Sequence, residues 1–418
     1  MRAGAFSLMP DFDLSFVRSQ FPAFAEQSLS GWAFLENAGG SYPARQVVER
    51  LHRFYLRTKV QPYAPYPAAR SAGAQMDEAY ERMAEWLCVS QDDLHFGPST
   101  SQNVYVLAQA FRGMWKDGDA IIVTNQDHEA NSGPWRRLAA TGIEIREWRV
   151  EEDGSLDPAR LADLLDDKVR LVAFPHCSNI VADINPVADI CAMIRAAGAV
   201  SVVDGVSFAP HGLPNVGALG ADVYLFSAYK TFGPHQGVMC VRADLARAMP
   251  NQGHVFNEDH LRARLLPAGP DHAQIAAMEG IATYMEALEN RHFPTGALSD
   301  LRTARVANLI RAREADLVAP LLDWLRGRKG VRLLGPDDPV RRAPTVAVAL
   351  YMPGEAAAAA LSRHRVMAGG GHFYAKRLIE ALGIDPEHGV LRLSLTHYTS
   401  PQDVAQAVDG LSAILGAD

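Results

Sequence analysis

The residues best placed to do chemistry are a carboxylate and an amine. Asp204 closes the apolar run Ala-Val-Ser-Val-Val, and Lys230 follows a second run, Val-Tyr-Leu-Phe-Ser, with Gly-Val-Met-Cys-Val as a third shortly after. Each run is too apolar to face water on either side and ends in polar residues or Gly, as buried strands do. In an open α/β sheet, side chains just beyond the carboxyl ends of the strands point into the ligand crevice, so Asp204 and Lys230 are expected to share one pocket. The plainer alternative is a structural ion pair.

Other stretches have chemical and ordinary readings of the same kind. Pro-Ser99-Thr100-Ser101 opens a helix, where small hydroxyls either cap the first turn or, with its free amides, hold a phosphate. His128 follows a buried strand, Asp119 to Thr124, and reads as a satisfied structural imidazole or as a group titrating near neutral pH. Asn179 suits an Asx turn before a helix or a hydrogen bond to a ligand. Arg392, in Val-Leu-Arg-Leu-Ser, is either a solvated strand residue or a fork for a carboxylate. Three prolines in Gln-Pro-Tyr63-Ala-Pro-Tyr66-Pro-Ala-Ala-Arg70 break any continuous helix there, leaving two tyrosines in a stiff loop.

The wording around these residues resembles the class V aminotransferases and cysteine desulfurases, fold-type I enzymes dependent on pyridoxal 5'-phosphate (PLP), over roughly residues 30 to 410. The resemblance rests on Val-Asp204-Gly, Ser227-Ala-Tyr229-Lys230-Thr-Phe-Gly-Pro, Leu-Glu-Asn37-Ala-Gly39 against the family's Leu-Asp-Asn-Ala-Ala, and Arg392-Leu-Ser-Leu-Thr-His-Tyr. It implies that Asp204 faces the pyridine nitrogen and that Lys230 forms the Schiff base. An anion keeps the ring nitrogen protonated so that the ring is an electron sink, and only an amine makes the imine. By the same resemblance, Ser99, Thr100, Ser101 and Ser227 cradle the phosphate, His128 stacks on the ring, and Asn179 bonds the phenolic oxygen. Arg392 binds the substrate carboxylate, Asn37 and Gly39 lie on the substrate side, and Tyr63 and Tyr66 belong to an active-site loop.

Several positions depart from that pattern. Ser207 replaces a Gln beside the phenolic oxygen, Tyr229 replaces a His as in kynureninase-like relatives, where the phenol contacts phosphate, and Glu129 replaces a second His. Pro270 stands where relatives have a Thr that reaches the partner's phosphate, and Asp183 where they have small or hydroxyl residues. In Gly369-Gly-Gly-His-Phe-Tyr374 a phenol occupies the position of the desulfurase loop cysteine. A phenol cannot accept sulfur as a persulfide, so persulfide chemistry on this loop is not expected. The expected function is a PLP enzyme acting on the amine of a small amino acid or amine-bearing acid, of aminotransferase class V type, with Lys230 and His128 catalytic. A lyase or epimerase without a persulfide, and a PLP-binding protein without catalysis, are the alternatives.

The elements that must position these groups alternate cleanly. Strand and helix signals succeed one another from residue 119 to 242, with Asp157-Pro158 and Asn185-Pro186 starting helices and Gly198 stopping one. Such alternation gives an α/β fold with a mostly parallel sheet covered on both faces; the resemblance makes it seven-stranded, with a smaller α/β domain at the C-terminus. The expected partition is an N-terminal segment, 1–30, packing with the small domain, a large PLP-binding domain, 31–285, and a small domain, 286–418.

The chain of 418 residues, 48% hydrophobic and 21% charged, has ordinary globular composition, which excludes disorder as its general state. A formal net charge of −8, with no basic run, speaks against nucleic acid. No apolar stretch is long enough to span a bilayer, and the first ten residues lack the apolar core of a secretory signal. The four cysteines, Cys88, Cys177, Cys191 and Cys240, lie far apart without a C-x-x-C pair, which fits reduced cytoplasmic thiols and no metal site. The resemblance implies a homodimer with active sites near the subunit interface.

Overall fold

The structure, a computed structural model, describes residues 10–294 and 301–416; the ends of the chain, with the first nine residues of the N-terminal expectation, lie outside the described residues. Its strands in chain order are β1 (Ala33–Phe34), β2 (Leu94–Gly97), β3 (Ala120–Thr124), β4 (Glu144–Trp148), β5 (Val169–Pro175), β6 (Val200–Asp204), β7 (Val223–Ser227), β8 (Gly237–Val241), β9 (Val331–Leu333), β10 (Thr345–Leu350), β11 (Val366–Met367), β12 (Gly369–Gly371) and β13 (Val390–Ser394).

Seven of them form the main sheet, in the order β2-β8-β7-β6-β5-β3-β4. Strands β4, β3, β5, β6 and β7 run parallel, whereas β8 is antiparallel to both its neighbours, β7 and β2. The reversal has a simple cause. The connection 228–236 is too short for the helical crossover that a parallel neighbour needs, so the chain turns straight back.

Both faces of this sheet are buried, which explains the near-continuous apolar runs. Ile121, Val123, Leu171 and Leu225 pack on one face against Leu107 and Phe111 of the helix Thr100–Arg112. Ile122, Val172, Phe174 and Phe226 pack on the other, with Ile190 and Ile194 of the helix Val187–Ala196. Period-two alternation thus sorts neighbouring residues to opposite cores.

The order also contains a switch point. From β3 the chain passes outward to β4, then returns to β5 on the other side of β3 and continues away, leaving a crevice at the carboxyl ends of β3 and β5.

A four-stranded antiparallel sheet, β12-β13-β10-β9, packs on the helices Arg302–Leu325 and Pro401–Leu415 around Leu321, Val348, Leu393 and Leu411. Strand β1 pairs in parallel with β11, and Glu36 bridges to Ser394, so the segment ahead of the main sheet is tied to this second sheet. Near the N-terminus, Asp13 caps the helix Leu14–Ser19, and Phe21 packs edge-on to Tyr398 and Tyr284 at centroid distances of 4.7 and 5.0 Å. Among the described residues no helix is long and apolar enough to cross a membrane.

Candidate active site

The crevice holds a cavity of about 290 Å³ lined by groups that follow the carboxyl ends of four strands. Gln126 and His128 come after β3, Cys177 and Asn179 after β5, Asp204 ends β6, and Ser227, Tyr229 and Lys230 end or follow β7. Ser99, Thr100 and Ser101, at the start of the helix Thr100–Arg112, complete the wall with Ser207 and His235. The topology therefore brings the carboxylate, the amine, the imidazole and the hydroxyl cluster to one place.

The charges in this cavity perturb one another. Burial pushes the Lys230 ammonium down to about 8; Arg392 acts in the same direction, and Asp204 and Glu36 oppose it. Burial pushes the Asp204 carboxyl up to about 6, against the backbone N–H of Val206, which donates to it at 2.9 Å, and against Lys230. His128 is pushed down to about 3, first by burial and then by Lys230 and Arg392. Its Nδ1 accepts the Ala130 N–H at 3.1 Å, which puts the ring proton on Nε2. The imidazole is therefore neutral and a weak base near neutral pH.

Below it, Asp127 is fully enclosed, accepting from the Thr124 hydroxyl and from Asn131 Nδ2, the latter at 2.8 Å. Burial pushes Asp127 up to about 8, with Asp204 adding to the effect. The hydrogen bonds from Thr124 and Asn131 oppose this rise and fix the turn that carries His128.

The hydroxyls divide their work. Thr100 Oγ1 and Ser227 Oγ lie 2.8 Å apart, while Ser99 Oγ caps its helix by accepting the Gln102 N–H at 3.2 Å. Tyr229 stacks on His235, their centroids 4.9 Å apart and their planes 6° from parallel. Asn179 donates through Nδ2 to the Phe373 carbonyl at 2.9 Å, leaving its buried Oδ1 without a partner.

A second space of about 570 Å³ opens outward from Lys230, His128 and Tyr229 and is lined by Glu36, Gly39, Glu129, Phe373, Tyr374 and Arg392. Arg392 is 3% exposed and pairs with Glu36 at 2.9 Å. Tyr374, 69% exposed, lies 5.2 Å ring to ring from His128, and its carbonyl accepts the Glu129 N–H at 2.7 Å.

Of the residues expected on the substrate side, Asn37, Tyr63 and Tyr66 do not line these two spaces of the single chain. Asn37 is spent on structure: its Nδ2 donates to the Ser394 carbonyl at 2.7 Å and to that of Phe34 at 3.3 Å, and its Oδ1 accepts from the Tyr398 hydroxyl. Tyr63 and Tyr66 line neither space of this chain. The third proline of their stretch, Pro67, is the first residue of the helix Pro67–Leu87, where its missing N–H costs nothing, and Tyr63 turns outward to donate to Asp77 at 3.2 Å. Asp183 lines a separate space with Asp153 and Arg341. Glu36 and Phe373 also line the outer space and His235 the inner one, while Asp127 supports the turn that carries His128; of these only Glu36, beside Asn37, and Phe373, beside Tyr374, stand in motifs quoted above.

Residues 33–263 match the aminotransferase class-V family. The chain belongs to that family. Over 97% of its length this class-V protein is 32% identical to the Aminotransferase-like protein FGM3 of Gibberella zeae, covering 99% of it. It is 30% identical to a cysteine desulfurase of Pectobacterium carotovorum over 95% of its length and 97% of the relative. The fold is shared with a cysteine desulfurase of Thermococcus onnurineus, with a TM-score of 0.84 at 22% identity, over 97% of this chain and 99% of that one. It is also shared with the Escherichia coli cysteine desulfurase CsdA, with a TM-score of 0.81 at 23% identity and the same coverage.

The class-V family is PLP-dependent, and the cavity fits that cofactor by its donor set. A buried carboxylate suits a pyridinium nitrogen, a lysine of lowered basicity suits a carbonyl carbon, and paired hydroxyls at a helix N-terminus suit a phosphate. The unpartnered Asn179 Oδ1 is the kind of buried polar atom that a ligand satisfies.

Proposed function

We propose that this class-V protein is a PLP-dependent enzyme acting on the amine of a small amino acid or amine-bearing acid, without a persulfide on its outer loop. The observation that carries the reading is the convergence of Lys230, Asp204 and His128 in one cavity, with Arg392 close enough to depress both Lys230 and His128. PLP supplies an electron sink for charge developing at the substrate α-carbon. Lys230 provides the amine that holds it covalently. With a pKa of about 8, both forms of that amine are populated near neutral pH, so it can take and return a proton at the α-carbon.

Asp204 holds the proton at the pyridine nitrogen, and Thr100, Ser227, Ser101, Ser207 and Tyr229 bind the cofactor's remaining oxygens with Asn179. His128 covers the ring, Arg392 orients the substrate carboxylate, and Gly39 and Tyr374 border the substrate space. The site is expected to be completed in a homodimer. The apolar recess between Tyr105, Leu266 and Pro270 shares Ser99 and His235 with the cavity and is where a second copy would close it. The cysteines are unbridged, which supports a reducing, cytoplasmic setting.

A lyase reading has its own support in the relatives named cysteine desulfurases. Its persulfide form meets two obstacles: Tyr374 takes the loop position, and Cys177, the cysteine lining the cavity, is buried with its thiol pushed up to about 12 by burial and then by Asp183. Incubating the holoenzyme with small amino acids, while following the cofactor absorbance and assaying keto acid against sulfide, ammonia and alanine, separates transamination from elimination. No cysteine should gain a sulfur adduct on incubation with cysteine. An adduct formed in step with alanine release would reverse that part of the reading.

A further inference from the structure

Arg392 is not a free cation. Its Nη2 donates to Glu36 Oε1 at 2.9 Å, its Nη1 donates to the Asn179 carbonyl at 3.2 Å, and Phe373 lies against the guanidinium with its centroid at 3.7 Å. The Glu36 side chain is only 27% exposed, and its Oε2 is buried without a hydrogen-bond partner.

The fold makes room for this arrangement from two sides. A Cβ on Gly39 would stand 2.6 Å from Glu36 Oε1, and one on Gly369 would stand 2.3 Å from Oε2. Gly369 is also the residue paired with Arg392 across β12 and β13, so the strand register delivers the arginine and the space for its partner together. The motif that this stretch resembles has Asp at this position, one methylene shorter than Glu36.

We propose that Glu36 is a specificity-determining residue: its carboxylate competes with that of the substrate for Arg392. The inference rests on the functional reading above, in which Arg392 faces the substrate. A carboxylate within hydrogen-bond distance cancels most of the field a guanidinium presents. An incoming carboxylate must displace Glu36 or lie beside it, and two carboxylates sharing one site repel. The paired state consequently weakens selection for a free α-carboxylate and favours amines whose carboxyl group is masked, as in an amide.

The test is a binding titration of the holoenzyme with small α-amino acids and their amides, alanine and alaninamide first, read from the change in cofactor absorbance. Wild type should bind the amide at least as tightly as the acid. In Glu36→Gln the ratio of affinities should move toward the acid by tenfold or more, and Glu36→Asp, which keeps the charge but loses reach, should move it the same way if the first variant fails to fold. A ratio that moves less than tenfold in both folded variants, or a wild type already favouring the acid tenfold, overturns the role of Glu36. Absence of a cofactor linked to Lys230, or of any response to either ligand, overturns the functional reading and the inference with it. A linked cofactor with a responsive but unmoved ratio overturns the inference alone.

Discussion

The two ends of the pocket are built differently. At the inner end, Asp204, Ser227, Lys230 and the Thr124–Asp127 turn stand at or just past the ends of neighbouring strands, so the register of one sheet fixes their spacing. At the outer end, distant segments meet through side chains. Glu36 reaches Arg392, Glu129 reaches Arg377, and Asn179 holds Phe373. A buried sheet has little freedom to rearrange, whereas exposed ion pairs such as Glu129–Arg377 contribute at most about 1 kcal/mol. The contrast separates two tasks. On the proposed reading, holding the cofactor belongs to the inner end and selecting the substrate to the outer, and substitutions should divide along the same line.

The largest effect belongs to the inner end. Lys230→Ala should remove the covalently held cofactor, abolish its absorbance band, and lower turnover by about 1,000-fold or more for every substrate alike. Turnover surviving for one substrate class would break the division. Next, Arg392→Ala should weaken carboxylate-bearing substrates by about 2 to 5 kcal/mol, toward the lower figure because Glu36 already occupies the guanidinium, while the cofactor stays bound. Loss of cofactor in that variant would mean that the two ends are not separable.

A third test concerns stability. Asp127 has a folded pKa of about 8, raised well above its value in an unfolded chain, so between those values the folded state binds the extra proton. Its contribution is then complete at low pH and is lost as pH rises through about 8. Asp127→Asn cannot ionise, so thermal melting of the cofactor-free protein from pH 5 to pH 8 should fall less steeply in the variant than in wild type. Parallel profiles would count against a protonated Asp127. The smallest effect should come from Tyr374→Phe, which removes a single hydroxyl at an exposed position and should change turnover about 3- to 10-fold, in the range of one hydrogen bond, without moving the cofactor band.

What was legible in the sequence follows the same boundary. Asp204 and Lys230 could be placed because each follows a continuous apolar run, and parallel strands put their carboxyl ends side by side. The antiparallel turn of β8 needed only the length of its connection to be foreseen. The outer end was less readable. Glu36 and Arg392 are separated by 356 positions, and no local pattern announces that they pair. The motif around Asn37 suggests a substrate contact, whereas in the fold its amide donates to the Ser394 carbonyl of β13. The three prolines around Tyr63 and Tyr66 left the local structure open, because prolines interrupt a helix when inside it and start one when at its first turn, and Pro67 does the latter.

On the proposed reading, Lys230 would hold the cofactor in the cavity that it shares with Asp204. Borohydride reduction of the purified holoenzyme, followed by proteolysis and mass spectrometry, tests it most directly. The expected result is a single pyridoxyl-phosphate modification, on Lys230, that is absent from Lys230→Ala. A reduced cofactor on another lysine, or none in a protein that binds PLP tightly, would contradict it.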